Sequence, residues 1–215
     1  MFSTIKHSYS DLFLYLKRPT AVIDGNQTLK DKLSKLGLIL VLDLLIAAIC
    51  VLLLTVLEHF DLVSIENHKI IKMLEEMSAA EVILAGVIVI PLIEELIFRL
   101  YLRYENNYPL RLFLSLFYIT GKSNKERIEG FVKKKWYKLY PFIFYFSAVL
   151  FGFVHIFNFE VDLKMLLLFP IITAPQIFVG IFAAYLRINY SLIWGFLLHA
   201  LHNLILFLPY LLFDF

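Results

Sequence analysis

The stretch Pro91-Leu-Ile-Glu94-Glu95-Leu-Ile-Phe-Arg99 sets two carboxylates and a guanidinium inside an apolar segment. That segment, residues 79–100, has 22 residues, enough for one helix to cross a hydrocarbon core of about 30 Å at about 1.5 Å per residue. Each charge near the middle of such a helix costs about 2.5–3.5 kcal/mol on insertion scales, so the three must be paired or must face protein or water. Glu95 and Arg99 are four residues apart and share a face, which predicts an ion pair. Glu94 lies about 100° around the helix from Glu95, so we expect its charge to be available for chemistry; a purely structural charge network is the alternative.

Composition indicates an integral membrane protein. Of the 215 residues 60% are hydrophobic, and the mean hydropathy is +0.78. Soluble domains have about 45–50% apolar residues, so the sequence predicts an all-α, polytopic bundle of transmembrane helices. The single cysteine, Cys50, excludes a disulfide framework and a cysteine-based metal site. No stretch resembles a cleavable signal peptide and no internal repeat is visible, so we expect one membrane domain, residues 37–215, after an N-terminal cytoplasmic or interfacial segment, residues 1–36.

Five apolar stretches are long enough to cross a membrane, and we expect spans at residues 37–57, 79–100, 139–159, 165–186 and 192–213. Residues 110–120 are apolar but only about 16 Å long as a helix, which favours a re-entrant or interfacial segment over a sixth crossing. Residues 9–17 are predicted to form an interfacial helix that ends near Pro19. Pro170 and Pro175 should kink the fourth span. The bundle is therefore expected to have five to six membrane helices plus interfacial ones.

The basic residues are placed unevenly, and their placement predicts the orientation. They concentrate before the first span and between the second and third spans, where a Lys-rich loop is predicted at residues 121–138. Residues 58–78 form a polar loop with an acidic excess. Because positively charged segments stay in the cytoplasm, the N-terminus and the Lys-rich loop are predicted to be cytoplasmic.

Few other polar groups lie at membrane depth. His155 is in the third span, and His199, His202 and Asn203 are in the last. His199 and Asn203 are four residues apart and point the same way. At about 1.5 Å per residue, Glu94 and His199 lie about 10–15 Å from the cytoplasmic boundary and His155 about 15–20 Å, which allows one cavity that opens to the cytoplasm.

Two further polar residues in the spans have weaker assignments. His202 is about 60° from His199 around the last helix, so it is expected at the border of the cavity. Asp43 interrupts the first span within reach of its cytoplasmic end, which favours a structural or snorkelling role.

Three motifs follow one another on separate hydrophobic helices: Glu-Glu-x-x-x-Arg (Glu94, Glu95, Arg99), then Phe-x-x-x-His, ending at His155, then His-x-x-x-Asn, beginning at His199. In this order they resemble the motifs of the CAAX prenyl protease and bacteriocin-processing family (CPBP, or Abi) of intramembrane peptidases. The resemblance covers roughly residues 79–207. The chain departs from the family pattern at Leu100, where a small residue is common, and in its longer Lys-rich insertion.

The resemblance implies a glutamate-dependent endopeptidase of a prokaryotic cell membrane that needs no metal or other cofactor. Glu94 would be the general base acting on a water, and His155 would hold or polarise that water. His199 and Asn203 would donate hydrogen bonds to the oxyanion of the tetrahedral intermediate. Glu95 and Arg99 would be structural. The implied partners are a peptide or protein substrate, possibly a lipidated one, and the bilayer, with no nucleic acid.

Three other readings stay open at the level of sequence. One Glu and several His could bind zinc, although no His-Glu-x-x-His helix is present. A non-catalytic membrane scaffold or a bacteriocin-immunity protein of the same fold is the second, and a transporter with broken helices is the third. A prenylated C-terminus, a bacteriocin leader and a signalling peptide would all fit as substrates.

Overall fold

The computed structural model describes residues 2–21, 27–60, 62–63, 76–116 and 122–213. The regular structure in this part of the chain is helical throughout, which confirms the predicted all-α bundle. The helices are α1 (Phe2–Lys17), α2 (Leu29–His59), α3 (residues 79–99), α4 (Tyr108–Ser115), α5 (Lys122–Val154), α6 (Leu163–Ile172), α7 (Ala174–Asn189) and α8 (Leu192–Phe213). Short 3₁₀ segments follow α3 and α5 (Leu100–Leu102, Tyr104–Asn106 and His155–Asn158).

Several of these helices have the length and composition of membrane spans. Among the described residues, α2, α5 with its 3₁₀ extension, and α8 each qualify alone, and the bent pair α6–α7 makes a fourth. The α3 helix does not meet the same test, because every stretch of 18 residues within it holds three charged residues, Glu94 and Glu95 together with either Glu81 or Arg99. Its residues 79–99 nevertheless span roughly 30 Å, the thickness of a hydrocarbon core. Counting α3 as a crossing therefore gives the five predicted spans.

The first span begins earlier than predicted. Thr28 and Asp31 form a capping box, in which each side chain bonds the other residue's backbone N–H, and this starts α2 at Leu29 rather than at residue 37. The domain boundary expected between residues 36 and 37 thus falls inside a continuous helix. Most of the acidic loop predicted at residues 58–78 lies outside the described residues.

The Lys-rich stretch is helical, so its prediction as a loop is wrong. Residues 122–138 form the first half of α5, which continues through Pro141 to Val154. Lysine, arginine and glutamate are good helix formers, and Gly130 is the only poor one before Pro141. The helical part of the 110–120 stretch belongs to α4, whose 8 residues are too few to cross a membrane.

The predicted kink in the fourth span is confirmed. The chain bends by 45° between α6 and α7 at Thr173, between the two prolines. The Thr173 hydroxyl donates to the Phe169 carbonyl at 2.8 Å, and Pro175 lies in the first turn of α7, where its missing N–H costs nothing.

The α7 helix lies at the centre of the bundle and packs against α2, α5 and α8. Its inner residues Phe182, Ala183 and Leu186 are buried. The α1 helix also belongs to this core, since Leu12 is fully buried. By contrast, long apolar side chains remain exposed along α2 and α3, as expected for surfaces that face lipid.

Candidate active site

A π-helical segment in α3 prepares one wall of the site. Val82–Val89 is a π-helix, so each carbonyl would accept from the N–H five residues on, as Ala85 does from Ile90. For Gly86 the corresponding residue is Pro91, which has no N–H. The Asn203 side-chain amide donates to the Gly86 carbonyl instead, at 2.8 Å. A proline thus frees a backbone carbonyl that ties α3 to α8.

The four residues proposed as catalytic from the sequence lie around one cavity of about 480 Å³: Glu94, His155, His199 and Asn203. The other lining residues are largely apolar, and His202 is also among them. His155, which fitted the estimated depths worst, also lies here, at the start of the 3₁₀ turn that follows α5.

Glu94 lies between two imidazoles. Its Oε1 is 3.7 Å from Nε2 of His155, and its Oε2 is 3.6 Å from Nε2 of His199. The Nδ1 atom of His155 lies 2.7 Å from the Phe151 carbonyl oxygen, which can only accept, so Nδ1 carries the hydrogen. In the neutral ring the lone pair is then on Nε2 and faces Glu94. The 3.7 Å between Nε2 of His155 and Oε1 of Glu94 is too long for a direct hydrogen bond. Both atoms can accept a hydrogen, so a single water can bridge them.

Glu95 turns the other way, into a closed charge cluster. Its Oε1 is 3.5 Å from Nη1 of Arg99 and 3.1 Å from Nδ1 of His199. The Glu95 and Arg99 side chains are both 0% exposed, and the Arg99 guanidinium lies 3.9 Å from the centre of the Phe151 ring. The predicted ion pair is confirmed, and it also orients His199, the imidazole that faces Glu94.

Two glycines make room for this cluster. A methyl group at Gly180 in α7 would lie 2.9 Å from Nη2 of Arg99. One at Gly195 in α8 would lie 3.1 Å from Oε2 of Glu95 and 2.8 Å from the Ala183 carbonyl oxygen. A side chain at Gly180 would press on the Arg99 guanidinium, and one at Gly195 would press on the backbone of α7 and, less severely, on Glu95.

Two arginines close the bundle beyond the cluster, at the C-terminal end of α3. Arg187 donates to the carbonyls of Arg99 and Leu100 at 3.3 and 3.5 Å. Arg103 donates to the carbonyls of Ile188 and Tyr190 at 3.0 and 2.9 Å. The two guanidinium groups thus bind the last carbonyls of α3 and α7, where a positive charge complements the helix dipole, and they cover that end of the site.

Sequence reasoning missed the partner of His202. Its Nδ1 lies 2.5 Å from Oδ2 of Asp43, and both residues are buried. Of the two roles expected for Asp43, this contact supports the structural one, and the snorkelling one is wrong because the side chain is fully enclosed. The sequence could have predicted this pair, because Asp43 in α2 and His202 in α8 were ionisable residues without an assigned partner, and such residues within membrane spans pair with each other. Among the described residues, no group of three His, Cys, Asp or Glu is placed to hold a metal ion.

Comparison with known proteins places the sequence of the chain in a family. A family model described as type II CAAX prenyl endopeptidase Rce1-like matches residues 77–205, which is 129 of the 215 residues and includes the three motifs. Searches of curated proteins and of solved structures each found no significant match.

Proposed function

The chain belongs to the Rce1-like family of type II CAAX prenyl endopeptidases, and on this premise we propose that it is an intramembrane peptidase in which Glu94 activates the attacking water. The observation that carries the proposal is the position of Glu94, which faces one Nε2 atom on each side within a cavity. Family membership supports a CAAX-protease-type endopeptidase in general, and the geometry of the cavity supports the assignment of roles.

In the first step, a water donates one hydrogen to Glu94 and the other to Nε2 of His155. Both groups accept, so the oxygen lone pair of the water is directed at the scissile carbonyl carbon. As the carbon–oxygen bond forms, Glu94 takes the proton and the carbonyl oxygen becomes an oxyanion. General-base catalysis of this kind contributes about 10²–10⁴-fold.

His199 and Asn203 are placed to stabilise that oxyanion. The Asn203 amide gives one N–H to Gly86 and keeps a second for the substrate. The Nδ1 atom of His199 lies beside a carboxylate that can only accept, so Nδ1 carries a hydrogen. Nε2 can donate to the oxyanion only when the ring holds a second proton, and Glu95 would stabilise that imidazolium. Each preorganised donor of this type contributes about 3–4 kcal/mol.

In the second step the tetrahedral intermediate collapses and the carbon–nitrogen bond breaks. Glu94 returns its proton to the leaving amine, so the immediate products are a carboxylic acid and an amine, and the acid then gives its proton to the amine or to the solvent. Glu94 therefore ends in its starting state, and the reaction balances with water as the only co-substrate.

The proposal is tested with purified protein in detergent and a quenched fluorescent peptide library. Glu94→Gln, nearly isosteric, should fold normally and lose at least about 10³-fold in activity, which corresponds to about 4 kcal/mol of transition-state stabilisation. Glu126→Gln, an exposed carboxylate in the first half of α5 and far along the chain from the three motifs, is the matched control and should keep full activity. Activity retained in Glu94→Gln would refute the assignment.

Two further arms separate the other readings. A strong chelator should leave the wild-type protein active, whereas loss of activity that zinc restores would support a metal site at Glu94, His155 and His199. A cellular phenotype that survives Glu94→Gln unchanged would favour the scaffold or bacteriocin-immunity reading.

A further inference from the structure

The catalytic cavity extends toward only one end of the bundle. In α3, every lining residue of the helix lies at or before Glu94, starting at Val82. In α8 the lining residues begin at His199 and continue to Phe207. The helices α3 and α8 are neighbours that run in opposite directions, so the start of α3 and the end of α8 lie at the same end of the bundle.

The other two helices of the site agree with this direction. The α5 helix contributes its last residues, up to Asn158 in the 3₁₀ turn, and α7 contributes Gln176 and Val179 from its first turns. We call this end of the bundle, where Met77, Asn158 and Phe207 lie, the cavity end.

The opposite end is filled with protein. Behind Glu94 lie the buried Glu95 and Arg99, and behind these Arg187 bonds the last carbonyls of α3. Leu198 and Ala183, both fully buried, complete the packing. In the described part of the chain, no residue of α3 beyond Glu94 lines the cavity.

Basic residues outnumber acidic ones at the filled end, whereas acidic residues are in excess at the cavity end. The filled end carries the start of α2 and the first half of α5, whose basic residues are Lys30, Lys32, Lys35, Lys122, Lys125, Arg127, Lys133, Lys134, Lys135 and Lys138. The acids of these segments are Asp31, Glu126 and Glu129. The cavity end carries Glu76, Glu81, Glu160 and Asp162, with Lys164. Basic segments remain in the cytoplasm, so the filled end is the cytoplasmic one.

We infer that the substrate reaches Glu94 from the non-cytoplasmic side of the membrane. The inference rests on the proposed peptidase function and names its substrate class: a translocated peptide, or the outer end of a membrane-inserted segment, with apolar residues to lie against Ile90, Leu206 and Phe207. The depths of the motif residues suggested a cavity that opens to the cytoplasm. That suggestion is incompatible with the predicted orientation, because the cavity lies on the side away from the basic residues.

The test labels cysteines from each side of the membrane. In a Cys50→Ala background, Asn158→Cys places a thiol in the cavity and Ser123→Cys places a matched thiol at the filled end. A charged, membrane-impermeant maleimide added to intact cells should label Asn158→Cys and should label Ser123→Cys only after permeabilisation. Labelling of Ser123→Cys from outside, or of Asn158→Cys only after permeabilisation, would overturn the inference.

This readout does not depend on catalysis, so the two proposals fail separately. If labelling follows the expected pattern but Glu94→Gln cleaves peptides normally, the orientation stands and the catalytic assignment fails. If Glu94→Gln is inactive but the labelling is reversed, the peptidase stands and its substrate is cytoplasmic.

Discussion

Glu94 and Glu95 are neighbours in the sequence, yet they lie in two regions of opposite character. The Glu95 side chain is 0% exposed and shares its charge with Arg99 and His199. The Glu94 side chain is 21% exposed and lines the cavity. Its carboxylate oxygens lie 3.7 Å from Nε2 of His155 and 3.6 Å from Nε2 of His199. Since one helix step of about 100° separates them, a single turn of α3 places one carboxylate in the closed charge cluster and the other in the cavity. Substitutions in the cluster should therefore act on stability, and substitutions in the cavity on activity.

Arg99→Ala should have the largest effect and should act through folding. It leaves Glu95 as an uncompensated charge in a fully buried site, which typically costs about 3–5 kcal/mol. We expect a lower yield of folded protein and a lower unfolding midpoint in detergent. Arg127→Ala, on the exposed part of α5, is the control and should unfold like the wild type. An Arg99→Ala protein that is stable but inactive would place Arg99 in the catalytic group.

His155→Ala should lower activity at least about 10³-fold, close to 4 kcal/mol, with the unfolding midpoint little changed. The reason is that His155 and Glu94 are proposed to hold the same water. The double variant with Glu94→Gln should therefore be no worse than either single variant, because residues that act as a unit are not additive. Losses that multiply in the double variant would show that the two side chains act independently.

Asn203→Ala should cost about 10²-fold in kcat, or about 3 kcal/mol, as expected for one lost oxyanion donor. It should also destabilise the protein by about 1–3 kcal/mol, because the Gly86 carbonyl loses its hydrogen bond. Kinetics and thermal unfolding on the same preparation separate the two effects. Unchanged kcat with reduced stability would mean that Asn203 only ties α8 to α3.

Asp43→Asn should have the smallest effect, a loss of about 1–3 kcal/mol in stability, since it weakens one charged hydrogen bond to His202. Activity per folded molecule should fall by less than about 10-fold, because Asp43 does not line the cavity. In a double-mutant cycle with His202→Gln the two losses should be strongly coupled. Additive losses would show that the contact contributes nothing to stability.

Local patterns predicted much of this molecule because they depend on neighbours in the chain. The apolar runs determined an all-α membrane bundle, and the spacing of Glu95 and Arg99 determined their ion pair, since residues four apart on a helix share a face. The three motifs named the residues that would surround the site. The boundaries of the helices were less predictable. A capping box moved the start of α2 to Leu29, and the Lys-rich stretch, which has good helix formers and no proline, became the first half of α5.

Only the tertiary structure decided what depends on contacts between distant helices. It joined Asp43 to His202 across 159 residues, and it set Nδ1 of His199 against Glu95 so that Nε2 faces Glu94. It also decided which end of the bundle the cavity occupies, because side chains from α3, α5, α7 and α8 together fill one end and leave space at the other. Sequence spacing sets the face of a helix on which a residue lies, but the packing of the helices against each other sets what that face meets.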